Sequence, residues 1–182
     1  PMIDRTPKLY VGGKQTRPDS GYSITVLDAH KKVAGEVGHG NRKDIRNAVE
    51  AAHKASAWSS LNGHSRAQVL YFLAENLETR SEEFKNRISV LTGDSAEKAK
   101  RQVEASIRRI FSYAAWADKY EGRVHQPPMR GLALAIPEPF GVMGVVASDD
   151  QPLLGLLSMI LPCIASGNRV VAVSSLKAAL IV

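Results

Sequence analysis

One cysteine in 182 residues, Cys163, rules out an internal disulfide. With no Asn-x-Ser/Thr acceptor and no basic-then-apolar leader at the start, the sequence reads as cytoplasmic. Cys163 lies among Ile160, Leu161 and Ile164 with no histidine or carboxylate close by in sequence, the setting of a buried inert thiol rather than a nucleophile. The five histidines, His30, His39, His53, His64 and His125, show no i, i+4 pairing with one another or with the cysteine, so no metal site is expected. The longest charge-free stretch, Gln151–Asn168, falls short of the roughly 20 apolar residues of a membrane span. It is also broken by Gly155, Ser158, Pro162, Ser166 and Gly167, and reads as a buried helix. A net charge of +6 comes without zinc-finger spacing or an aromatic-glycine RNA-binding signature, so nucleic acid is not an expected partner.

Apolar residues make up 44% of the chain, enough for a sizeable core. Charge is unevenly spread: residues 1–130 hold 22 Lys+Arg and 15 Asp+Glu, residues 131–182 only 2 and 3, which marks a change of character near Gly131. In residues 8–37 short apolar groups alternate with turn residues, predicting small antiparallel strands. After Gly40 the period becomes helical, with Ile45, Ala48, Val49, Ala52, Ala55 and Ala57-Trp58 on one face. Leu70, Leu73, Ala74 and Leu77 form a second face after the Asn62-Gly63 break, and a third helix starts at Ser81. The longest helix follows Asp94-Ser95-Ala96-Glu97, which resembles a capping box. Its stripe of Ala96, Ala99, Val103, Ile107, Ile110, Ala114 and Ala117 predicts a run to about Lys119, with Lys100, Arg101, Arg108 and Arg109 on a solvated face.

From Arg123 the pattern is extended again. Arg123–Gln126 and Leu132–Ile136, separated by Pro127-Pro128, read as a two-stranded arm with exposed edges. Gly141–Ala147 and Arg169–Val173 are continuous apolar strands of the kind parallel sheets bury, and Leu153–Ser166 is the helix between them. The fold class is therefore α/β, with the start of a doubly wound parallel sheet. Gly141-x-x-Gly144 is not the dinucleotide fingerprint, because both glycines fall in the strand run, where they read as close packing. The adjacent Asp149 and Asp150 at the strand end point apart and do not read as paired catalytic carboxylates. The closing Ala178–Val182 run is apolar, and with the missing sheet neighbours it predicts an uncovered apolar surface.

The run Glu138-Pro139-Phe140-Gly141-Val142-Met143-Gly144-Val145-Val146, followed by Pro152-Leu153-Leu154 and Ala165-Ser166-Gly167-Asn168-Arg169-Val170-Val171, resembles the first nucleotide-binding β-α-β of the aldehyde dehydrogenase superfamily. The likeness extends upstream through Lys8 to Lys14, Ala51 to Ala55 with Trp58, Arg66 to Leu77, and Tyr113-Ala114-Ala115-Trp116-Ala117-Asp118-Lys119. It implies three stretches: residues 1–121, strands and helices of the nucleotide-binding domain; residues 122–137, an extended oligomerisation arm; and residues 138–182, a truncated first β-α-β. The family's nucleophilic cysteine and general-base glutamate belong to segments further downstream.

Two departures from the family pattern bear on chemistry. Where the family has Pro-Trp-Asn-Phe-Pro, with the asparagine donating to the oxyanion, this chain has Ser148-Asp149-Asp150-Gln151-Pro152, so Asp150 stands at the donor position. Where the family has Lys-Pro-Ser followed by Glu, with lysine and glutamate bonding the adenosine ribose, this chain has Val173-Ser174-Ser175-Leu176. The resemblance thus implies that NAD(P), the family cofactor, does not bind tightly. It leaves only vestigial contact positions at Val146, Ala147, Ser148, Val173 and Ser175. The pattern looks like the degenerate second module of the two-module family 16 enzymes, and Pro1 in place of an initiator methionine fits a piece of a longer chain. The partners implied are the remainder of its own module and a second such module or subunit, as a homo-oligomer in the full-length context. The competing reading is a fragment of an active NAD(P)-dependent aldehyde dehydrogenase with unusual residues at these positions.

Overall fold

A helix leaves its first N–H groups without partners, and in this chain most helices start where a side chain supplies an acceptor. The computed structural model describes residues 8–181; Pro1 and Val182 of the expectations above lie outside them. At the start of α1 (Arg42–Lys54) the Asn41 side chain accepts from the N–H groups of Lys43 and Asp44, and the Asp44 carboxylate accepts in return from Asn41 N at 2.9 Å. Asp44 also accepts from Asp19 N at 3.1 Å, which ties the preceding loop to the helix and leaves Asp44 buried. A four-residue α2 (Ala57–Ser60) is followed by α3 (Gly63–Thr79), capped by Asn62, and then by α4 (Ser81–Thr92) and α5 (Ala96–Trp116).

Before α1 lie two antiparallel hairpins. β1 (Leu9–Val11) pairs with β2 (Lys14–Thr16), and β3 (Ser23–Leu27) with β4 (Val33–Gly38). After α5 a third hairpin joins β5 (Arg123–His125) to β6 (Ala133–Ala135), with Val124 opposite Leu134. The chain then forms β7 (Val142–Val146), α6 (Pro152–Ala165) and β8 (Arg169–Val173), in which β7 and β8 pair in parallel from Val142↔Arg169 to Val146↔Val173. The α/β class and the start of a parallel sheet are as the sequence indicates. One apolar core crosses the compositional divide at Gly131: Leu70 and Ala74 of α3, Ile88 of α4, Val103 and Ile110 of α5, and Leu157 and Leu161 of α6 all belong to it.

The C-terminal end of α6 is held by side chains from about 100 residues earlier. Trp58 Nε1 donates to Ile164 O at 3.1 Å, Arg66 Nε to Ala165 O at 3.0 Å, and the Ser59 hydroxyl to Gly167 O at 2.8 Å. Arg66 Nη1 donates to Leu61 O as well. Arg66 is 8% exposed and has no carboxylate partner among the described residues. The negative end of the α6 dipole and two carbonyls stabilise its charge instead. Asn168, also buried, accepts through Oδ1 from Gly141 N at 2.9 Å and so aligns the start of β7 with the turn into β8.

Several expectations are corrected. The cap of α5 is Ser95, accepting from Lys98 N at 3.3 Å; Glu97 falls one position short of the reciprocal bond, and Asp94 pairs with Lys98 at 2.6 Å instead. The Lys98 hydrogen bond holds the Asp94 carboxyl below its ordinary pKa. That helix ends at Trp116 rather than Lys119. Ile45, placed on the inner face of α1, is exposed, because Asp44 takes the buried position beside it. Gly144 is not in close packing, since a Cβ there would meet nothing within 4 Å. Cys163 is half-buried, with its thiol donating to Met159 O at 3.4 Å. The closing run is not uncovered: Ala178 and Ile181 are buried, Leu180 packs against Gly35, and Arg87 donates to Leu180 O at 3.0 Å.

Replacing Arg66 by Met keeps the aliphatic stem but strands the buried Ala165 carbonyl and removes the donor to Leu61 O. The substitution should lower the unfolding free energy by about 3 kcal/mol in urea titrations, and Arg66→Lys should recover only part of that loss.

Candidate functional site

In open α/β sheets ligands sit beyond the carboxyl ends of the parallel strands. Here that position is formed by the ends of β7 and β8 and the turn into α6. The pairing runs one residue past β7, with Ala147 N donating to Val173 O at 2.9 Å. The structure therefore brings together the sequence-expected positions Val146, Ala147 and Val173. Their side chains offer no hydrogen-bonding group. Val146 is 73% exposed, Val173 42% and Leu176 47%, so the strand ends present an apolar shelf. Ser175 is already used, its hydroxyl accepting from Ala178 N at 3.1 Å in the 3-10 turn Ala178–Leu180.

The β7–α6 turn is exposed through Ser148, Asp149 and Asp150. Ser148 Oγ accepts from Asp150 N at 2.9 Å, and neither Asp149 nor Asp150 has an ion-pair partner among the described residues. Gln151 follows with φ +48°, a left-handed conformation that is strained for a side chain of its length. What holds the turn is its surroundings. A Cβ on Gly155 would stand 2.9 Å from Asp150 O, so glycine lets the turn fold back on the first turn of α6, and Gly155 N donates to Gln151 O at 2.7 Å.

The cap that Gln151 does not provide comes from α5. Gln102, 5% exposed, accepts through Oε1 from Leu153 N at 3.1 Å. Because the oxygen must face that donor, Nε2 is left buried without a partner among the described residues. Sequence reasoning missed Gln102. The signal was present: it sits three residues after Ala99 and four before Ser106 on the buried stripe, where a polar side chain must find a polar partner.

A recess of about 400 Å³ lies where α3 and the end of α5 meet the β5–β6 arm, lined by Asn62, His64, Arg66, Asp118, Tyr120 and Ile136 among others. Lys119 donates to the Asp118 carboxylate at 2.7 Å and holds its pKa below the ordinary value; His64 Nδ1 lies 3.9 Å from the same group. The arm itself exposes Val124, Leu132, Leu134 and Ile136, with Val124 and Leu134 directly paired. Among the described residues no group of three or more His, Cys, Asp or Glu could hold a metal ion, and no helix is long and apolar enough to cross a membrane.

The family model described as the aldehyde dehydrogenase family matches residues 16–182. An aldehyde dehydrogenase of Agaricus bisporus is 32% identical over 168 residues, covering 90% of this chain and 34% of that protein. The cytosolic 10-formyltetrahydrofolate dehydrogenase of Xenopus laevis is 31% identical over 173 residues, covering 90% of this chain and 19% of that one. The crystal structure of Staphylococcus aureus betaine aldehyde dehydrogenase in complex with NAD+ superposes with a TM-score of 0.90 at 20% identity, over 97% of this chain and 37% of the other. The chain thus spans about a third or less of the length of these relatives.

The Gln102 cap yields a test. Gln102→Glu keeps the acceptor for Leu153 N–H but buries a carboxylate, a cost that the helix N-terminus offsets only in part. It should lower the urea midpoint at neutral pH, and Gln102→Leu should lower stability by about 1–3 kcal/mol by leaving Leu153 N–H bare.

Proposed function

The chain belongs to the aldehyde dehydrogenase family, and from that membership we propose that it forms part of a non-catalytic module with a structural or protein-interaction role in a larger family protein. The observation that carries this reading is Asp150, an exposed carboxylate without an ion-pair partner among the described residues at the turn where the family pattern places an oxyanion-donating asparagine. A carboxylate only accepts hydrogen bonds. Losing one oxyanion donor costs about 3 kcal/mol of transition-state stabilisation, and Asp150 with Asp149 adds negative charge where negative charge would develop.

The cofactor site points the same way. Hydrogen bonds to ribose hydroxyls need polar side chains at the end of β8, and Val173 and Leu176 there are apolar and partly exposed. The residues present do not fit the adenosine half of NAD(P). On this reading the protein resembles the degenerate second module of the two-module family 16 enzymes. It works in the cytoplasm beside the remainder of its own module and a second module or subunit, as a homo-oligomer. The β5–β6 arm, with its apolar face of Val124, Leu132, Leu134 and Ile136, is the assembly element. The alternative is a fragment of an active NAD(P)-dependent enzyme oxidising aldehydes to carboxylic acids. Retention of the β7–α6–β8 scaffold favours it, and segments downstream would have to supply nucleophile and base.

Calorimetric titration of the full-length protein with NAD or NADP should show no micromolar binding, and micromolar affinity would remove the basis of this reading. Val173→Lys combined with Leu176→Glu should restore measurable affinity if these two positions are what was lost.

For the arm, Val124→Glu with Leu134→Glu leaves the hairpin backbone intact while charging its apolar face. The variant should weaken association of the full-length protein in sedimentation velocity; an unchanged oligomeric state would refute the assembly role.

A further inference from the structure

The sequence contains one Asn-Gly pair, Asn62-Gly63, and two unrelated physical demands bring it about. Asn62 is there as a helix cap: at φ −67° and ψ 163° its Oδ1 accepts from Ser65 N at 2.7 Å, satisfying one of the free N–H groups of α3. Gly63 is there because the end of α5 comes too close for any side chain. A Cβ on it would stand 2.5 Å from Ala117 O and 2.8 Å from Asp118 Cα. A good cap followed by an obligatory glycine is also the sequence most open to attack of a backbone amide on an asparagine side chain, since glycine puts no Cβ beside the attacking nitrogen. Asn62 is exposed, so water and base reach it.

We propose that Asn62-Gly63 is a conformation-gated deamidation site, silent while the cap is closed and converted when the α3–α5 joint opens. In the reaction the Gly63 amide nitrogen loses its proton to base and adds to Asn62 Cγ. The N–Cγ bond closes a five-membered succinimide, the Cγ–Nδ2 bond breaks, and ammonia leaves carrying the proton. Water then adds to one of the two ring carbonyls and opens the ring to aspartate or isoaspartate. No oxidant, reductant or enzyme takes part.

The gate is geometric. Closing the ring requires Asn62 to rotate about ψ and its side chain to leave Ser65 N, and that rotation swings Gly63 out of its seat against Ala117. Ring closure therefore needs the same local opening that exposes the joint. The two products differ in effect. Aspartate caps a helix as well as asparagine does and places favourable negative charge at the N-terminus of α3. Isoaspartate adds a methylene to the main chain between residues 62 and 63, for which the seat has no room. It leaves open the joint that lines the same recess as Gly122 and Ile136 of the arm region.

The test is peptide mass mapping of the whole chain during incubation at mildly alkaline pH, with aspartate and isoaspartate peptides separated by retention. Conversion of Asn62 in native buffer should be at least about tenfold slower than in concentrated urea, which corresponds to about 1.4 kcal/mol of local opening. Sub-denaturing urea should accelerate it in parallel with hydrogen exchange at Ser65 N–H. Ser65→Pro, which removes the N–H that holds the cap, should raise the native rate towards the urea rate. Equal rates in native buffer and in urea would overturn the proposal, as would an unchanged rate in Ser65→Pro with helical circular dichroism intact. Should that variant lose its helices, the native-to-urea ratio and the match to hydrogen exchange decide alone.

Discussion

The last turn of a buried helix presents carbonyl groups that water cannot reach, and at the end of α6 these carbonyls organise the molecule. Trp58, Ser59 and Arg66 each spend a donor on residues 164–167, so the short α2 and the start of α3 are placed by the helix they cap. That contact fixes α6 against α3 and α5, and through the turn at Gly167 and Asn168 it fixes where β8 begins relative to β7. An isolated buried guanidinium would be costly. Here the same charge is favourable because it meets a dipole end and two carbonyls rather than hydrocarbon.

A division of labour follows. Trp58, Ser59 and Arg66 hold the β-α-β unit at the carboxyl end of α6, and Gln102 holds the opposite end from behind, where the side chains of the Ser148–Asp150 turn face outward. Function is carried by such sites rather than by the scaffold beneath them. A chain can therefore keep every packing contact of a catalytic fold while its reactive end is free to change. The proposed non-catalytic role needs nothing more than this separation. At that end Asp149, Asp150 and Leu176 are all exposed and take no part in the core.

Much of the fold was legible in the sequence wherever the signal is local. β8 occupies Arg169–Val173 as its apolar run indicates, α4 starts at Ser81, and the arm pairs the two segments flanking Pro127-Pro128. Local cues failed where two of them competed. Asp94 and Ser95 both qualify as caps, and the choice fell to Ser95 because Asp94 had Lys98 within reach. Partners distant in sequence were not legible at all. Nothing around Gln102 announces that its amide serves Leu153, 51 residues on, nor does anything near Arg66 point to Ala165. The apolar end of the chain looked uncovered because its cover, β4 and Arg87, lies far upstream. At the candidate site the meeting of Val146 and Val173 at the strand ends was readable from the two apolar runs. The strained Gln151 and the Gly155 approach that holds it were not, since backbone conformation at a turn depends on what packs behind it.

The clamp on α6 also sets a timetable. Arg66 and Ala165 are 99 residues apart, and a ribosome adding about 5–20 residues per second delivers the second roughly 5–20 s after the first. Helices form in microseconds or less, so α3 and α5 are complete long before the surface they share with α6 has a counterpart. Throughout that interval the nascent chain carries a guanidinium whose acceptors do not yet exist and an apolar groove open along its length. The step that ends this exposure is the emergence of α6, whose Leu153, Leu157 and Leu161 cover the groove and whose last turn meets the guanidinium.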